Sequence, residues 1–479
     1  MEKDDNITKE GRDNFNSTAE LTSNPGFQSS LSITSKTDEK LYNPFEHRNL
    51  EHPNTVFGSI LHLLKACLGS GILAMPAAFK NCGLIAGSIG TLLAGLVCIH
   101  TIHIFVKASQ NICIDAKKPS MSFAETCGAV FTYGPKSVQS WGGFVKTLVD
   151  YSMALTYISV LCVYIVFIGS SFKEVLDVAL PEYQLSIQMY CFMTLPLLLI
   201  ICQIRNLKYL VPFSAIANIM ILVVFAITMY YMFVDLPPLS EREMVADISQ
   251  WPLFLGNTVI FAMEGIGVVM PVENEMANPQ KFLGCPGVLN ISMVIVIILY
   301  AIFGFFGYLQ FGDDVKGSIT LNLPQNSIIA KSATLLMAVV IFLSFALQFY
   351  VPMEMITRLL KKRKSDSYEN VIQIAIRVTI VTITVAIAAA FPNLELVISF
   401  VGAVFFSTLG LFIPAVVDTV YHWDRGLGKF NYILWKNAVI AVVSIIALVS
   451  GAYVSIVGMI DEFSGDHDIG LLNNTLSYT

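Results

Sequence analysis

Long apolar stretches, separated by short polar connections, fill the sequence from residue 56 to residue 460. A helix needs about 20 mostly apolar residues to cross the hydrocarbon core of a bilayer. The stretches of that length are Val56–Lys80, Leu84–Val106, Gly143–Ser170, Ile187–Ile204, Leu210–Phe233, Pro252–Glu273, Pro286–Leu309, Ser327–Tyr350, Val371–Phe391, Leu394–Val417 and Ala438–Ile460. The pattern predicts an all-α membrane protein with eleven transmembrane helices.

The composition agrees with a membrane protein and excludes several soluble classes. Only 13% of the residues are charged, whereas 55% are hydrophobic. A soluble globular chain carries about 25% charged residues. This deficit argues against a nucleic-acid-binding protein, a secreted disulfide scaffold and an ordinary cytosolic enzyme. The sequence shows no nucleophile–base pair and no metal-ligand cluster, so we expect neither an enzyme nor a cofactor or metal site.

The basic residues predict how the chain lies in the membrane. With a cytosolic N-terminus, the tail and the inner connections carry most of the Lys and Arg residues, and the outer connections carry few. Cytosolic connections are the ones enriched in Lys and Arg. We therefore predict a disordered cytosolic tail over residues 1–54, a transmembrane domain over residues 55–460, and an extracellular or lumenal tail over residues 461–479, with the lipid bilayer as the surroundings of the domain.

Two of the predicted spans contain helix-breaking residues near their middle. The first span carries Gly69-Ser70-Gly71, and the sixth carries Glu264 followed directly by Gly265. Irregular backbone survives within a membrane only where it is buried or lines a cavity, and an ionisable residue at that depth is usually functional. The alternatives are a close-packing patch of small residues in the first span and an interhelical hydrogen bond from Glu264 in the sixth.

The spacing of the two breaks suggests an inverted repeat. Equivalent positions five spans apart have opposite topology, as in five-plus-five repeat transporters whose broken helices 1 and 6 form a site at the midplane. Backbone amides after Gly69 and Gly71 are suited to a carboxylate. Unpaired carbonyls near Phe261 and Ala262, aided by Glu264, are suited to an ammonium group. A site with both ends fits a zwitterion, which indicates an amino acid.

Several motifs give the chain a resemblance to a known family. They are His62-Leu-Leu-Lys65, Gly69-Ser-Gly71, Phe261-Ala-Met-Glu264-Gly265, Glu273-Asn-Glu-Met276 and Leu394-Glu-Leu-Val-Ile-Ser-Phe-Val-Gly402. From about Thr55 to Ile460 the chain resembles the proton-assisted amino acid transporters, within the amino acid/auxin permease family. The resemblance implies eleven spans, a LeuT-like fold and symport of small amino acids with protons. It also implies that His62 takes part in proton coupling. The chain departs from the family pattern at Ala66-Cys67, where members often carry Gly-Asn.

His62 and Lys65 are the candidates for proton coupling, together with Glu264. Histidine titrates near pH 6.5, which lies within reach of an acidic outer compartment. The two residues are three positions apart and share one helical face. Lys65 lies about 13 Å into the span at 1.5 Å per residue, where an ammonium could stand in for the cation of sodium-coupled relatives. The alternatives are a packing role for His62 and a Lys65 side chain that extends to the inner headgroups.

The sequence thus predicts a proton-coupled symporter of small neutral amino acids that works by alternating access, with protons as the coupling ion. The alternatives are an amino-acid sensor with little flux and a sodium-coupled carrier of the same fold. By analogy of fold, Thr156, Tyr164 and Ser344 are expected beside the substrate cavity. The expected location is the plasma membrane or the lysosomal or late endosomal membrane. Tyr42-Asn43-Pro44-Phe45 resembles a ligand for endocytic adaptors.

Overall fold

The computed structural model describes residues 42–464, except for residues 49, 51–52, 206, 264, 325 and 362–368. Over these residues the regular secondary structure is helical, apart from one isolated β-bridge between Asn54 and Met276. Most of the predicted tails, and Glu264 of the predicted site, lie outside the described residues.

The helices follow the order of the apolar stretches. They are α1 (Val56–Cys67), α2 (Met75–Lys80), α3 (Leu84–Asp115), α4 (Phe123–Thr132), α5 (Gly142–Ala179), α6 (Ile187–Ile201), α7 (Leu207–Phe233), α8 (Trp251–Met263), α9 (Ile266–Asn274), α10 (Val288–Phe311), α11 (Ile328–Lys361), α12 (Glu369–Ala390), α13 (Leu394–Val401), α14 (Ile413–His422) and α15 (Tyr432–Ser464). Two π-helical segments, Gly402–Phe406 and Thr408–Phe412, connect α13 to α14.

The helix lengths confirm a multi-pass, all-α membrane protein. Among the described residues, eight helices are long and apolar enough to cross a bilayer, and the bent pair Val56–Cys67 with Gly71–Lys80 would be a ninth. Helix α6 is apolar but has 15 residues, and α8 and α9 are separate short helices. The count of eleven spans, and the LeuT-like repeat, therefore remain predictions.

The first break lies at the glycine cluster. The Leu68 amide donates to the Leu64 carbonyl as α1 ends, and Gly69 then adopts φ −84° and ψ −147°. A 3-10 turn over Ser70–Ala74 leads into α2, which carries Pro76 in its first turn. Proline favours that position because its missing N–H has no intrahelical partner there. The two parts of the span are bent by 42°.

Small residues on α10 allow α2 to pack closely against it. A Cβ at Gly304 would lie 2.2 Å from the Phe79 ring, and one at Gly307 would lie 2.4 Å from the Pro76 ring. Glycine at a helix interface lets two backbones approach. On the same helix, the buried Tyr300 hydroxyl donates to the Cys67 carbonyl, one of the last carbonyls of α1. Helix α10 thus supports both sides of the first break.

The short helix α4 lies outside the candidate spans and has a complete capping box. Ser122 Oγ accepts from the Glu125 amide at 3.3 Å, and the Ser122 amide donates to Glu125 Oε2 at 3.1 Å. Glu125 also forms an ion pair with Lys146 of α5 at 3.4 Å. Partial burial opposes ionisation of Glu125, but the Ser122 amide and the Lys146 charge hold its pKa below the ordinary value.

Candidate functional site

The two helix breaks lie against each other. A Cβ added to Gly265, which caps the N-terminus of α9, would be 2.6 Å from Cys67 Sγ at the end of α1. The halves also pair along their lengths, because α1 packs against α9 and α2 packs against α8. Only glycine leaves room for this approach at position 265. The two breaks, which lie in distant parts of the sequence, therefore meet at one place.

The residues predicted to hold a zwitterion are distributed over this junction. Gly69 and Gly71 lie on either side of the start of the 3-10 turn, and Gly71 is buried. Phe261 and Ala262 lie in the last turn of α8, directly before the break. Glu264 lies outside the described residues, so its contribution stays a prediction.

A small cavity borders the start of α9. Its volume is 20 Å³, enough for one water molecule but too small for an amino acid. It is lined by Met153, Thr156, Tyr157, Val160, Ile266, Gly267, Gln348, Phe406 and Leu409. Thr156 lines this cavity, whereas Tyr164 and Ser344 are not among the lining residues that the structure describes. The expectation that all three border the substrate cavity stays a prediction. Tyr157 and Gln348 were not anticipated, since single polar residues within long apolar stretches give no sequence pattern.

The π-helical segments contribute one wall of this cavity through Phe406 and Leu409. Wide turns of this kind interrupt the regular backbone ladder and occur often at functional sites. Here the Ser407 carbonyl, between the two segments, accepts a hydrogen bond from Ser444 Oγ of α15 at 2.8 Å. Helix α15 thus stabilises a distorted stretch that the hydropathy pattern alone does not reveal.

His62 and Lys65 lie on an exposed face of α1, while Leu63 between them is buried. The Lys65 ammonium donates to Ser214 Oγ of α7 at 2.7 Å. This bond places Lys65 at a contact between α1 and α7. Neither His62 nor Lys65 is among the described residues that line the 20 Å³ cavity. Their role in proton coupling stays a prediction.

One end of the helix assembly is covered by a segment that precedes α1. We call residues Pro44–Arg48 the N-terminal strap. The Arg48 guanidinium forms an ion pair with Glu273 at the end of α9, and it also donates to the carbonyls of Glu273 and Pro119, each at 2.9 Å. The side chains of Arg48 and Glu273 are 4% and 1% exposed. Gln110 of α3 donates to the same carboxylate at 2.8 Å.

A backbone pairing next to the strap also joins the segment before α1 to the residues that follow α9. The Asn54 amide donates to the Glu275 carbonyl at 2.8 Å, and the Ala277 amide donates to the Asn54 carbonyl at 3.0 Å. The strap and Asn54 fall within residues 1–54, which the sequence assigned to the tail. In the structure these residues pack on the ends of α3 and α9.

A cavity of 540 Å³, which we call the vestibule, lies between α5 and the start of α13. It is lined by Ser170, Lys173, Glu174, Asp177, Val178, Ile187, Lys316, Gly317, Leu321, Asn393, Leu394 and Glu395. Lys173 pairs with Asp177 at 2.5 Å, and Lys316 pairs with Glu174 at 2.6 Å. At its edge, Asn81 after α2 donates to Glu395 Oε1 at 2.6 Å. The vestibule and the strap thus occupy opposite ends of the broken first span.

Comparison with known proteins agrees with this architecture. The family model described as transmembrane amino acid transporter protein matches residues 52–457. The chain is 38% identical over 429 residues to the proton-coupled amino acid transporter-like protein pathetic of Drosophila melanogaster, covering 90% of each chain. It is 29% identical over 304 residues to vacuolar amino acid transporter 4 of Saccharomyces cerevisiae, covering 62% of this chain and 40% of that relative.

These matches confirm the resemblance seen in the motifs. They also agree with the expectation that the chain is not an enzyme, because the family and both relatives are transporters. The apolar helices, the two apposed helix breaks and the match over most of the chain lead to one conclusion: this protein belongs to the transmembrane amino acid transporter family.

Proposed function

We propose that this transporter is a proton-coupled symporter of small neutral amino acids that works by alternating access. The observation that carries the proposal is the contact between the two breaks, where Gly265 lies against Cys67. In the proposal, the two interrupted helices supply amides and carbonyls at one place, as in transporters whose broken helices form a site at the midplane. The name of the Drosophila relative and the His62-Leu-Leu-Lys65 motif support protons as the coupling ion.

In this proposal, the amides after Gly69 and Gly71 bind the substrate carboxylate. The carbonyls near Phe261 and Ala262, with Glu264, bind the ammonium group. The adjoining space is tight, because a Cβ at Gly267 would lie 2.0 Å from Tyr157 Oη. That restriction supports small side chains on the substrate. Ser70 and Gly265 complete the site through the backbone of the two breaks.

The two closed ends support alternating access. Arg48 and Glu273 join the strap to α9 at one end, and Asn81 and Glu395 join α2 to α13 at the other. A carrier has to open one end while the other stays closed. In our proposal the strap lies on the cytosolic side and the vestibule on the outer or lumenal side, in agreement with the excess of Lys and Arg in the predicted cytosolic segments.

The remaining assignments follow from the same proposal. The chain crosses the membrane eleven times in a LeuT-like five-plus-five arrangement, in the plasma membrane or the lysosomal or late endosomal membrane. Protons pass through His62, Lys65 and Glu264. The Tyr42–Phe45 motif is proposed to bind endocytic adaptors. Pro44 of that motif is buried and Phe45 lies beneath the Arg48 guanidinium at 5.1 Å, so adaptor binding requires release of the strap.

Uptake into proteoliposomes tests the function. We expect accumulation of glycine and alanine, but not of leucine or glutamate, driven by an acidic exterior and unaffected when sodium is replaced by choline. His62→Ala should abolish the stimulation by acid, and Glu264→Gln should reduce uptake at normal expression. Binding without accumulation would favour a sensor, and a requirement for sodium would favour the sodium-coupled carrier; either result contradicts the proposal.

A further inference from the structure

Glu395 occupies a position that the proposed proton route does not use. It lies in the first turn of α13, where its carboxylate accepts from Asn81 Nδ2 at 2.6 Å. Asn81 is 3% exposed and also donates to the Ala77 carbonyl of α2 at 3.0 Å. The amide is therefore fixed to the end of α2, and its bond to Glu395 ties α2 to α13.

The vestibule lysines near Glu395 pair with other carboxylates. Lys173 and Lys316, the two lysines that line the vestibule, each have a carboxylate partner on α5, namely Asp177 and Glu174. Lys80, at the end of α2, exerts a further positive field on Glu395. The Glu395 carboxylate itself accepts its hydrogen bond from the neutral Asn81 amide. A carboxylate held by a neutral amide loses its charge more readily than one held by a cation.

The surrounding packing links Glu395 to the rest of the vestibule. A Cβ at Gly317 would lie 3.0 Å from the Glu395 amide nitrogen, so the loop that carries Lys316 rests directly on the start of α13. The Glu395 amide is in turn bound by Asn393 Oδ1 at 3.1 Å. A movement of the first turn of α13 would therefore displace the vestibule wall.

We propose that the Asn81–Glu395 pair is a proton-operated latch that keeps the vestibule end closed while Glu395 is ionised. A hydronium ion in the vestibule transfers its proton to a carboxylate oxygen of Glu395 and leaves as water. The hydrogen bond from Asn81 then changes from a charge-assisted bond to a neutral one, which is roughly half as strong. The end of α2 separates from α13, and the vestibule opens toward the site. This inference rests on the proposed proton coupling and adds a residue to it.

Labelling of Cys82 measures the latch directly. Cys82 follows Asn81, is 1% exposed, and burial raises the pKa of its thiol to about 12. It should react slowly with a membrane-impermeant maleimide added from the vestibule side, in a background where the exposed Cys285 is replaced by serine. Because the reactivity of thiols itself depends on pH, rates are compared between variants at each pH.

Glu395→Gln mimics the protonated carboxyl. At pH 7.4 we expect it to label about tenfold faster than the parent, which corresponds to a loss of about 1.4 kcal/mol from the latch. Lowering the pH to 5.5 should bring the two rates closer together, because protonation of Glu395 in the parent weakens its bond to Asn81. Glu174→Gln is the matched control, because it removes a different vestibule carboxylate, the one that pairs with Lys316. It should leave the labelling rate of Cys82 unchanged at both pH values. Equal rates for Glu395→Gln and the parent at pH 7.4 would overturn the latch.

A second variant tests the latch independently in case Glu395→Gln does not fold. Asn81→Ala removes the donor, so labelling should be fast at both pH values, and slow labelling at pH 7.4 would overturn the latch. Uptake measured alongside separates the two proposals. Acid-stimulated uptake with an unresponsive latch contradicts only the role of Glu395. A responsive latch without acid-stimulated uptake contradicts the proton-coupled function.

Discussion

Replacing Arg48 with alanine should release the strap end of the protein. The guanidinium donates to the Glu273 carboxylate, to the Glu273 carbonyl and to the Pro119 carbonyl, and both charged side chains are almost fully buried. Removing one partner of a buried ion pair typically costs about 3–5 kcal/mol, because the other charge stays behind. The lower value corresponds to a shift of about 150-fold toward the open form.

Hydrogen exchange followed by mass spectrometry measures this shift at two backbone amides. The Asn54 and Ala277 amides are bonded only while the segment before α1 stays docked on Glu275 and its neighbours. When opening is fast compared with exchange, the exchange rate follows the open population. We therefore expect Arg48→Ala to accelerate exchange at these two amides about 150-fold.

Arg425→Ala provides the matched control. Arg425 pairs with Asp115 at 2.7 Å, but these side chains are 35% and 36% exposed. Exposed pairs contribute about 0–1 kcal/mol, so the two amides should exchange at nearly their original rate. Unchanged exchange in Arg48→Ala, or equal acceleration in both variants, would refute the argument from burial.

Three further predictions concern packing and capping, each measured by thermal unfolding in detergent. Gly267→Ala should cost about 1–3 kcal/mol through a clash with Tyr157 Oη, and adding Tyr157→Phe should recover part of the loss. Tyr300→Phe should cost about 1–3 kcal/mol, because the Cys67 carbonyl loses a buried donor; an unchanged melting temperature would contradict this. Since the pKa of Glu125 is lowered, its stabilisation is present above pH 4.5 and fades as the pH falls below that value, so Glu125→Gln should destabilise the protein at pH 7 and have less effect at acidic pH.

The helices and the first break were largely predictable from the sequence. Length and hydropathy identify an apolar helix, and Gly69-Ser70-Gly71 predicts an interruption within the first span. The ends were less accurate. Helix α3 runs to Asp115 rather than Val106, because polar residues continue the helix and hydropathy reports only its apolar part.

The closures at the two ends could not be predicted in the same way. Arg48 and Glu273 are 225 residues apart in the sequence, and Asn81 and Glu395 are 314 apart. Such pairs depend on how helices are arranged in space, which periodicity does not specify. Glu273 did belong to a motif that the sequence singled out, but its partner lay in a polar segment with no hydrophobic pattern.

The strap also has a thermal consequence. Backbone freedom regained on release is worth roughly 1–2 kcal/mol per residue at room temperature, and this gain grows with temperature. The Arg48 bonds that oppose release are local and largely enthalpic. Warming should therefore loosen the strap end before it loosens the apolar contacts among the helices. The strap should hold its end of the protein closed most firmly at low temperature.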